Sequence, residues 1–444
     1  MNNHPTYTIL AAAFTIAITC AATLARADMD HMFGYGSTTA ALAGSNRARS
    51  YDAFAILQNP ALMSQKPEGE FTSGFLGAVD YFQDLENVVI DNPFIGGSSV
   101  RYGSVDTDVP DVFNFMLGSL WTLRDSHPEE AWRFGMTLNV PADKVMEPQT
   151  KDIYQPQYAM YLANTHRLGL NFALSRKFGE KWSVGAGVAY YLMTGATVVA
   201  RLPADGTPSK TSTANLRMIV KPALAPLLGV AFMPTENETW TLNYKGVKDA
   251  RVATKFDSTI EALGSAPFIF NANGSIFYDP ETFSLGYANV RGPWEYTFAL
   301  DYERWSMFEG AVVKFEFETF TGTFRQYPFD TWYKDIWVPR VGLSYYMNPG
   351  YWRVGYAYKP SPTPELRRET NFLDSDRHIL GLGYDWEGGL LGLVDKPVRW
   401  STHLQGHYLN PKDVVKENST DIGAPGYTVK GFVISYGINL TIHL

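Results

Sequence analysis

The narrowest constraint on the fold lies at the carboxyl end. Phe432, Ile434, Tyr436, Ile438, Leu440, Ile442 and Leu444 form one apolar series, interleaved with Ser435, Gly437, Asn439, Thr441 and His443. A period of two held over about 13 residues is a β-strand with one oily and one wet face. Strands of soluble sandwiches run to about 5–6 residues, whereas a tilted strand crossing a bilayer needs about 9–11. The length points to a membrane strand.

The period recurs upstream. Leu168, Phe172 and Leu174 alternate with Asn171, Ala173 and Ser175, and after a turn at 178–181 Trp182, Val184, Val188, Tyr190 and Leu192 face away from Ser183, Gly185 and Gly187. Trp240, Trp294, Trp352 and Trp400 open or nearly open further alternating runs, where an amphipathic ring suits a membrane–water boundary. Short connections at 124–130, 178–181, 234–237, 290–293, 347–350 and 387–397 separate long ones at 83–111, 142–165, 194–221, 248–281, 306–335, 360–376 and 410–428. Tight turns on one side and long loops on the other are the mark of a membrane barrel, here of fourteen strands. Val313, Phe315 and Phe317 also alternate, but a fifteenth strand would break the parity of the later turns, so 311–320 reads as a hairpin or extension above the membrane. In hydrocarbon every backbone N–H and C=O must be paired, so the strands close on themselves. Fourteen enclose a bore too wide for wall side chains to fill.

Composition agrees. Only 18% of residues are charged, and beyond the amino terminus no apolar run is long enough for a membrane helix. The net charge of −8 argues against a nucleic-acid partner. Thr8 to Leu24 is apolar and ends in Ala25-Arg26-Ala27, a pattern read as an export signal over 1–27, the alternative being a short membrane anchor. Its removal takes Cys20, the single cysteine, so neither a disulfide nor a thiolate metal site is expected.

Residues 28–69 do not alternate. Gly34-Tyr35-Gly36, Ala41-Leu42-Ala43-Gly44-Ser45-Asn46-Arg47-Ala48 and Asn59-Pro60-Ala61-Leu62 are small and polar, suited to a compact plug whose Arg47, Arg49 and Asp52 pair with a polar wall. This stretch resembles the amino-terminal hatch of FadL/TodX-type outer-membrane transporters. Two further segments, Gly355 to Pro364 followed by Leu373 to His378, and Tyr302 to Ser306, are similar to patterns of the same family. The resemblance implies an all-β, 14-stranded antiparallel transmembrane β-barrel (70–444), monomeric and plugged by a hatch (28–69). It implies passive passage of long-chain fatty acids or other hydrophobic molecules in the outer membrane of a Gram-negative bacterium, with release sideways through the wall. The usual terminal Phe, read by the barrel-assembly machinery, is Leu444 here.

Candidate residues follow. Asn59-Pro60-Ala61 is expected to end a hatch helix and fix a turn, or to act as a gate contact. Asp376 and Arg377 belong to lumen or rim networks, and Arg217, Lys221 and Arg377 could meet a carboxylate head. Met218, Leu224, Leu263, Phe268 and Phe270 are more apolar than solvated loops should be, so they read as a cargo path or as contacts with lipopolysaccharide. Gly135 and Pro141 on the third strand are candidates for a lateral break in pairing, the alternative being that Gly135 is an ordinary inward-facing small residue and Pro141 merely ends the strand. His403 and His407, four residues apart on one strand, stand about 13 Å apart and cannot share a metal. No metal, cofactor or catalytic group is expected. The rival readings are an anchor or adhesin using the long loops, an outer-membrane lipase, and an open porin; a porin should lack the plug.

Overall fold

Alternation becomes pairing. The computed structural model describes residues 31–444 except 67, 93–98, 110, 124–130, 143–154, 159–160, 162–167, 192–195, 204–210, 221–222, 261–265, 309–311, 320–321, 327–332, 364, 368–370 and 389–397. The expected export signal, the turn at 124–130, Lys221 and Leu263 lie outside the described residues.

The strands in chain order begin with β1 (Glu70–Phe82), β2 (Leu85–Asp91), β3 (Arg101–Val105), β4 (Val112–Thr122), β5 (Arg133–Pro141), β6 (Gly169–Phe178) and β7 (Trp182–Tyr191). There follow β8 (Ala196–Pro203), β9 (Thr211–Val220), β10 (Ala223–Thr235), β11 (Glu238–Lys245), β12 (Lys248–Ile260), β13 (Ala266–Asp279), β14 (Glu281–Arg291) and β15 (Trp294–Arg304). The last are β16 (Val312–Thr319), β17 (Gly322–Gln326), β18 (Ile336–Met347), β19 (Gly350–Lys359), β20 (Arg377–Gly388), β21 (Val398–Val415) and β22 (Gly426–His443). Fourteen of them close an antiparallel barrel in the order β1-β22-β21-β20-β19-β18-β15-β14-β11-β10-β7-β6-β5-β4, with β4 back on β1. The expected strand count and closure hold.

The two faces differ as the period requires. Leu242 is 60% exposed on the outer face, with Leu285, Phe298, Leu382 and Leu404 similarly bare, while Thr241, Asn243, Ser284, Thr297 and Gln405 are buried inside. At the end carrying the short turns, aromatic rings pair across strands: Trp182–Phe232 at 4.6 Å, Trp240–Tyr287 at 4.4 Å, Trp294–Tyr345 at 4.4 Å and Trp352–Tyr384 at 4.7 Å. This belt marks one membrane boundary. The other end of the wall is called the outer end below.

The long connections are more ordered than the sequence reading allowed. Within 311–320 the described residues form one strand, β16, which stands apart from the wall and pairs with β13 and β17. The stretches 194–221 and 248–281, read as loops, hold β8–β9 and β12–β13, and all six strands join in the order β17-β16-β13-β12-β9-β8. Register aligns Val198, Leu216, Phe256, Phe270, Phe317 and Phe324 in one row across this sheet. The adjacent row is Thr197, Arg217, Lys255, Asn271, Glu316 and Arg325. Adjacent rows of a pleated sheet belong to opposite faces, so the sequence makes this sheet amphipathic.

Residues 31–66 take no part in the wall; they fill its bore. They form α1 (Ser37–Ala41), α2 (Ala55–Gln58) and a 3-10 helix at Pro60–Gln65, nearly all buried. Such short helices have little stability of their own and depend on packing. Glycines supply the room. Gly342, Gly355 and Gly381 are successive register partners on β18, β19 and β20. A Cβ at Gly355 would stand 2.0 Å from the Leu42 carbonyl carbon, and one at Gly381 2.4 Å from the Ala40 carbonyl oxygen. Across the bore the partners Gly185 and Gly229 make a second shelf. A Cβ there would lie 2.4 Å from the Pro60 carbonyl carbon or 1.9 Å from Asn59 Oδ1.

Candidate functional site

The amino-terminal segment is held chiefly along one strand. Between its lipid-facing aromatics β15 carries Glu295, Asp301 and Glu303, all buried on the inner face. Glu295 accepts a hydrogen bond from the Tyr51 hydroxyl, and Arg49 lies 3.9 Å away. Asp301 takes Arg47 through Nη2 at 3.0 Å and Nε at 3.3 Å, and Arg340 Nε at 2.8 Å. Arg340 also donates to the Ala43 carbonyl at 2.7 Å. Glu303 binds His31 at 3.0 Å and Lys359 at 2.8 Å. A carboxylate inside a wall costs several kcal/mol unless paired, so each of these acids requires the cations that face it. Sequence reasoning found Arg47, Arg49 and Asp52 but missed their partners. The signal was present: acids at every inner-face position but two of a strand whose other face is aromatic have no reason to exist unless something charged fills the bore.

Further contacts complete the seat. Arg353 Nε bonds Asp385 at 2.8 Å and its guanidinium lies 4.2 Å over the Tyr51 ring. Gln405 Nε2 donates to the Ala40 carbonyl at 2.8 Å, and Gln405 Oε1 accepts from His407 Nε2 at 2.8 Å. Asp52 accepts the Phe54 N–H at 2.9 Å. Burial raises its carboxyl to about 6, against the pull of Arg399 and the Phe54 N–H. Asn59 ends α2 and caps the 3-10 helix, its Oδ1 accepting the Ala61 N–H at 2.9 Å. The Ala61 carbonyl takes the Ser64 hydroxyl at 2.9 Å and that of Ser183 on β7. The motif is a turn locked to the wall.

Above the segment the outer mouth is roofed by aromatic and aliphatic side chains. Phe82 stacks on Tyr158 at 3.8 Å and meets Tyr161 edge-on at 5.0 Å, and Trp305, Tyr333, Leu366, Phe372 and Leu373 are buried beside them. Between the amino-terminal segment and the wall remains a cavity of about 40 Å³, with Phe33, Lys248 and Arg340 in its lining. That is room for roughly three waters.

The remaining candidates divide. Arg377 is buried at the outer end of β20 and bonds Asp374 at 3.0 Å and the Tyr161 hydroxyl at 2.8 Å. Asp376 sits at the rim, accepting the Tyr358 hydroxyl at 2.5 Å and the Ser361 N–H at 2.9 Å. Phe270 is in the apolar row of the six-stranded sheet, and Met218 and Phe268 stand two residues from it on the same face. Leu224 must be corrected: it lies not in a loop but in β10, opposite Tyr190, and is 64% exposed on the outer face of the wall. Arg217 belongs to the charged row of the sheet. The break expected at Gly135 is absent, because its register continues to Leu120 on β4 and Ala173 on β6. Gly135 instead admits the plug, a Cβ there standing 2.5 Å from Ile56 Cδ1. Pro141 ends β5, where its missing N–H is harmless. Among the described residues, the outermost partners of β5 and β6 are Asn139 and Gly169, while β5 stays on β4 as far as Pro141.

Known proteins share this architecture. A crystal structure of a Pseudomonas aeruginosa FadL homologue superposes with a TM-score of 0.56 at 16% identity, covering 91% of this chain and 96% of the other. The Pseudomonas putida toluene transporter TodX gives 0.55 at 15% identity, covering 93% and 99%. In sequence, alkane uptake protein A of Marinobacter nauticus is 26% identical over 382 residues, 81% of this chain and 79% of its own. The model of the outer membrane protein transport proteins (OMPP1/FadL/TodX) matches residues 15–391, most of the chain. This plugged, fourteen-stranded barrel belongs to that family of outer-membrane transport proteins.

Proposed function

We propose that the protein passively carries hydrophobic small molecules, alkanes or long-chain fatty acids, from the outer surface into the membrane, leaving the barrel sideways. One observation carries this reading: the bore is filled by a segment ion-paired to its wall, whereas the outer face of the wall is apolar and the register of the external sheet aligns a row of apolar residues. An alkyl chain forced down such an axis would forgo about 25 cal/mol for each Å² of burial it finds in oil. The external sheet, with Phe270 in its apolar row and Met218 and Phe268 on the same face, is the receiving surface. Residues 28–69 act as the hatch. The exit lies beside the third wall strand, above Asn139 and Gly169, where the ladder between β5 and β6 ends. The names of the relatives support the cargo class: one is an alkane uptake protein and another a toluene transporter. The chain acts alone as a carrier rather than a catalyst, with lipopolysaccharide around its outer end and the barrel-assembly machinery as its folding partner.

The test is uptake by cells expressing the protein. Radiolabelled hexadecane or palmitate should enter several-fold faster than in cells without it, and a sugar of similar mass should not. An equal gain for the sugar would make the protein a water-filled porin, and no gain for either lipid would end the proposal.

A further inference from the structure

Three asparagines line the inner face of the wall beside the proposed exit. Parity turns Asn114 on β4, Asn139 on β5 and Asn171 on β6 toward the bore, and all three are buried. Register sets them on a diagonal: Asn114 faces Pro141, Asn139 faces Met116 and Gly169, and Asn171 faces Thr137. Diagonal neighbours of this kind lie about 7–8 Å apart, so one small polar group between two of them can touch both. Their bonding capacity is not used up. Among the described residues Asn114 has no partner at Oδ1 or Nδ2, although Leu76 and Met116 bury it. Asn171 donates to Thr137 Oγ1 at 3.0 Å and leaves its own Oδ1 without a donor. No inward position from 112 to 118, 135 to 141 or 169 to 175 carries a charge.

We propose that these amides form a rest site for the hydroxyl end of a long-chain primary alcohol, a cargo beyond the alkanes and fatty acids named above. A buried amide without a partner destabilises the wall, so its place in an apolar stretch calls for something that bonds it. An amide both donates and accepts, and so does a hydroxyl. A carboxylate only accepts, and here it would lie buried with no cation on the strands around it. The ladder between β5 and β6 ends at Asn139 and Gly169. A chain leaving above that pair therefore has its head on the diagonal while its tail enters lipid. An alkane of the same length meets the same opening and nothing that holds it, so the site sorts cargo by its head. This inference deepens the transport reading and rests on it.

Equilibrium binding of radiolabelled 1-hexadecanol and hexadecane to the full, detergent-purified barrel tests it, each corrected for partition into protein-free micelles. The alcohol should bind about tenfold more tightly than the alkane, the factor that one hydrogen bond supplies. Asn114→Leu keeps the volume and removes both polar atoms; it should erase most of that preference and leave hexadecane binding unchanged. It should also raise the unfolding temperature of the barrel, since the unpartnered amide is gone. Asn243 on β11 is an equally buried and unpartnered asparagine, but the ladders on both its sides run past it to Lys245. Asn243→Leu should therefore keep the preference. No preference in the unaltered barrel, one that survives Asn114→Leu, or one that Asn243→Leu also abolishes overturns the site. A lower unfolding temperature in Asn114→Leu overturns it too, because an ordered water then holds the amide. Each of these results leaves the transport reading to the uptake assay, which decides it separately. Should Asn114→Leu not assemble, Asn171→Leu, which removes the free Oδ1, decides in its place.

Discussion

Asp301 carries two arginines, one from the hatch and one from the wall. Replacing it by Ala would leave both guanidinium groups buried without their charge partner, a change that typically costs 3–5 kcal/mol. Asp301→Ala is therefore expected to release residues 31–66 to protease while the wall still resists heat in detergent; an intact hatch would contradict the pairing. Asp52 works in the opposite sense. Its carboxyl titrates at about 6 when docked and near 3.8 when free. Between those values the docked form takes up the proton, so the Asp52 contribution to docking is fully present below pH 4 and is lost as pH rises through 6. Amide hydrogen exchange in the hatch, corrected for intrinsic rates, should thus be more protected at pH 5 than at pH 7.5, and Asp52→Asn should abolish the difference. Glycine offers a third contrast. Gly355→Ala must push Leu42 away, whereas a Cβ at Gly406 meets nothing within 4 Å. Gly355→Ala should loosen the hatch by a few kcal/mol and Gly406→Ala should leave it unchanged, as judged by the same protease assay.

Single strands show what alternation can and cannot reveal. On β11, Leu242 faces lipid and Thr241 faces the bore. An arginine at Leu242, if near the midplane, should cost about 2–4 kcal/mol of barrel stability in urea titrations; no loss would mean that this face is not in lipid. Such strands were legible because lipid imposes one rule on every outward position. Strand number and closure followed from that rule. The six-stranded sheet was not foreseen, although Phe315 and Phe317 alternate as plainly as any wall strand. Parity shows which strands cannot be in the wall, but says nothing about whether the excluded ones pair with each other. Leu224 was misread for a related reason: an apolar residue beside a loop looks the same in sequence whether it serves cargo or faces lipid. The partners Glu295, Asp301 and Glu303 were missed because pairing across about 250 residues leaves no local spacing to detect.

Taken as a molecule, the chain is a wall that is oily outside, sealed by charge inside, and roofed by aromatic side chains. On the proposed reading, a hydrophobic molecule leaves such a body through the side. The described wall is paired all the way round, and the ladder that ends earliest beside the third strand joins β5 to β6. Cysteines one step beyond the last register pair, Val140→Cys with Leu168→Cys, would tie β5 to β6 above Asn139 and Gly169 under oxidation and free them under reduction, with the hatch and roof left intact. Uptake of radiolabelled hexadecane or palmitate by cells expressing this variant tests sideways release most directly. The expected result is uptake abolished when oxidised and restored when reduced; equal uptake in both states, with the cross-link shown to be complete, would contradict it.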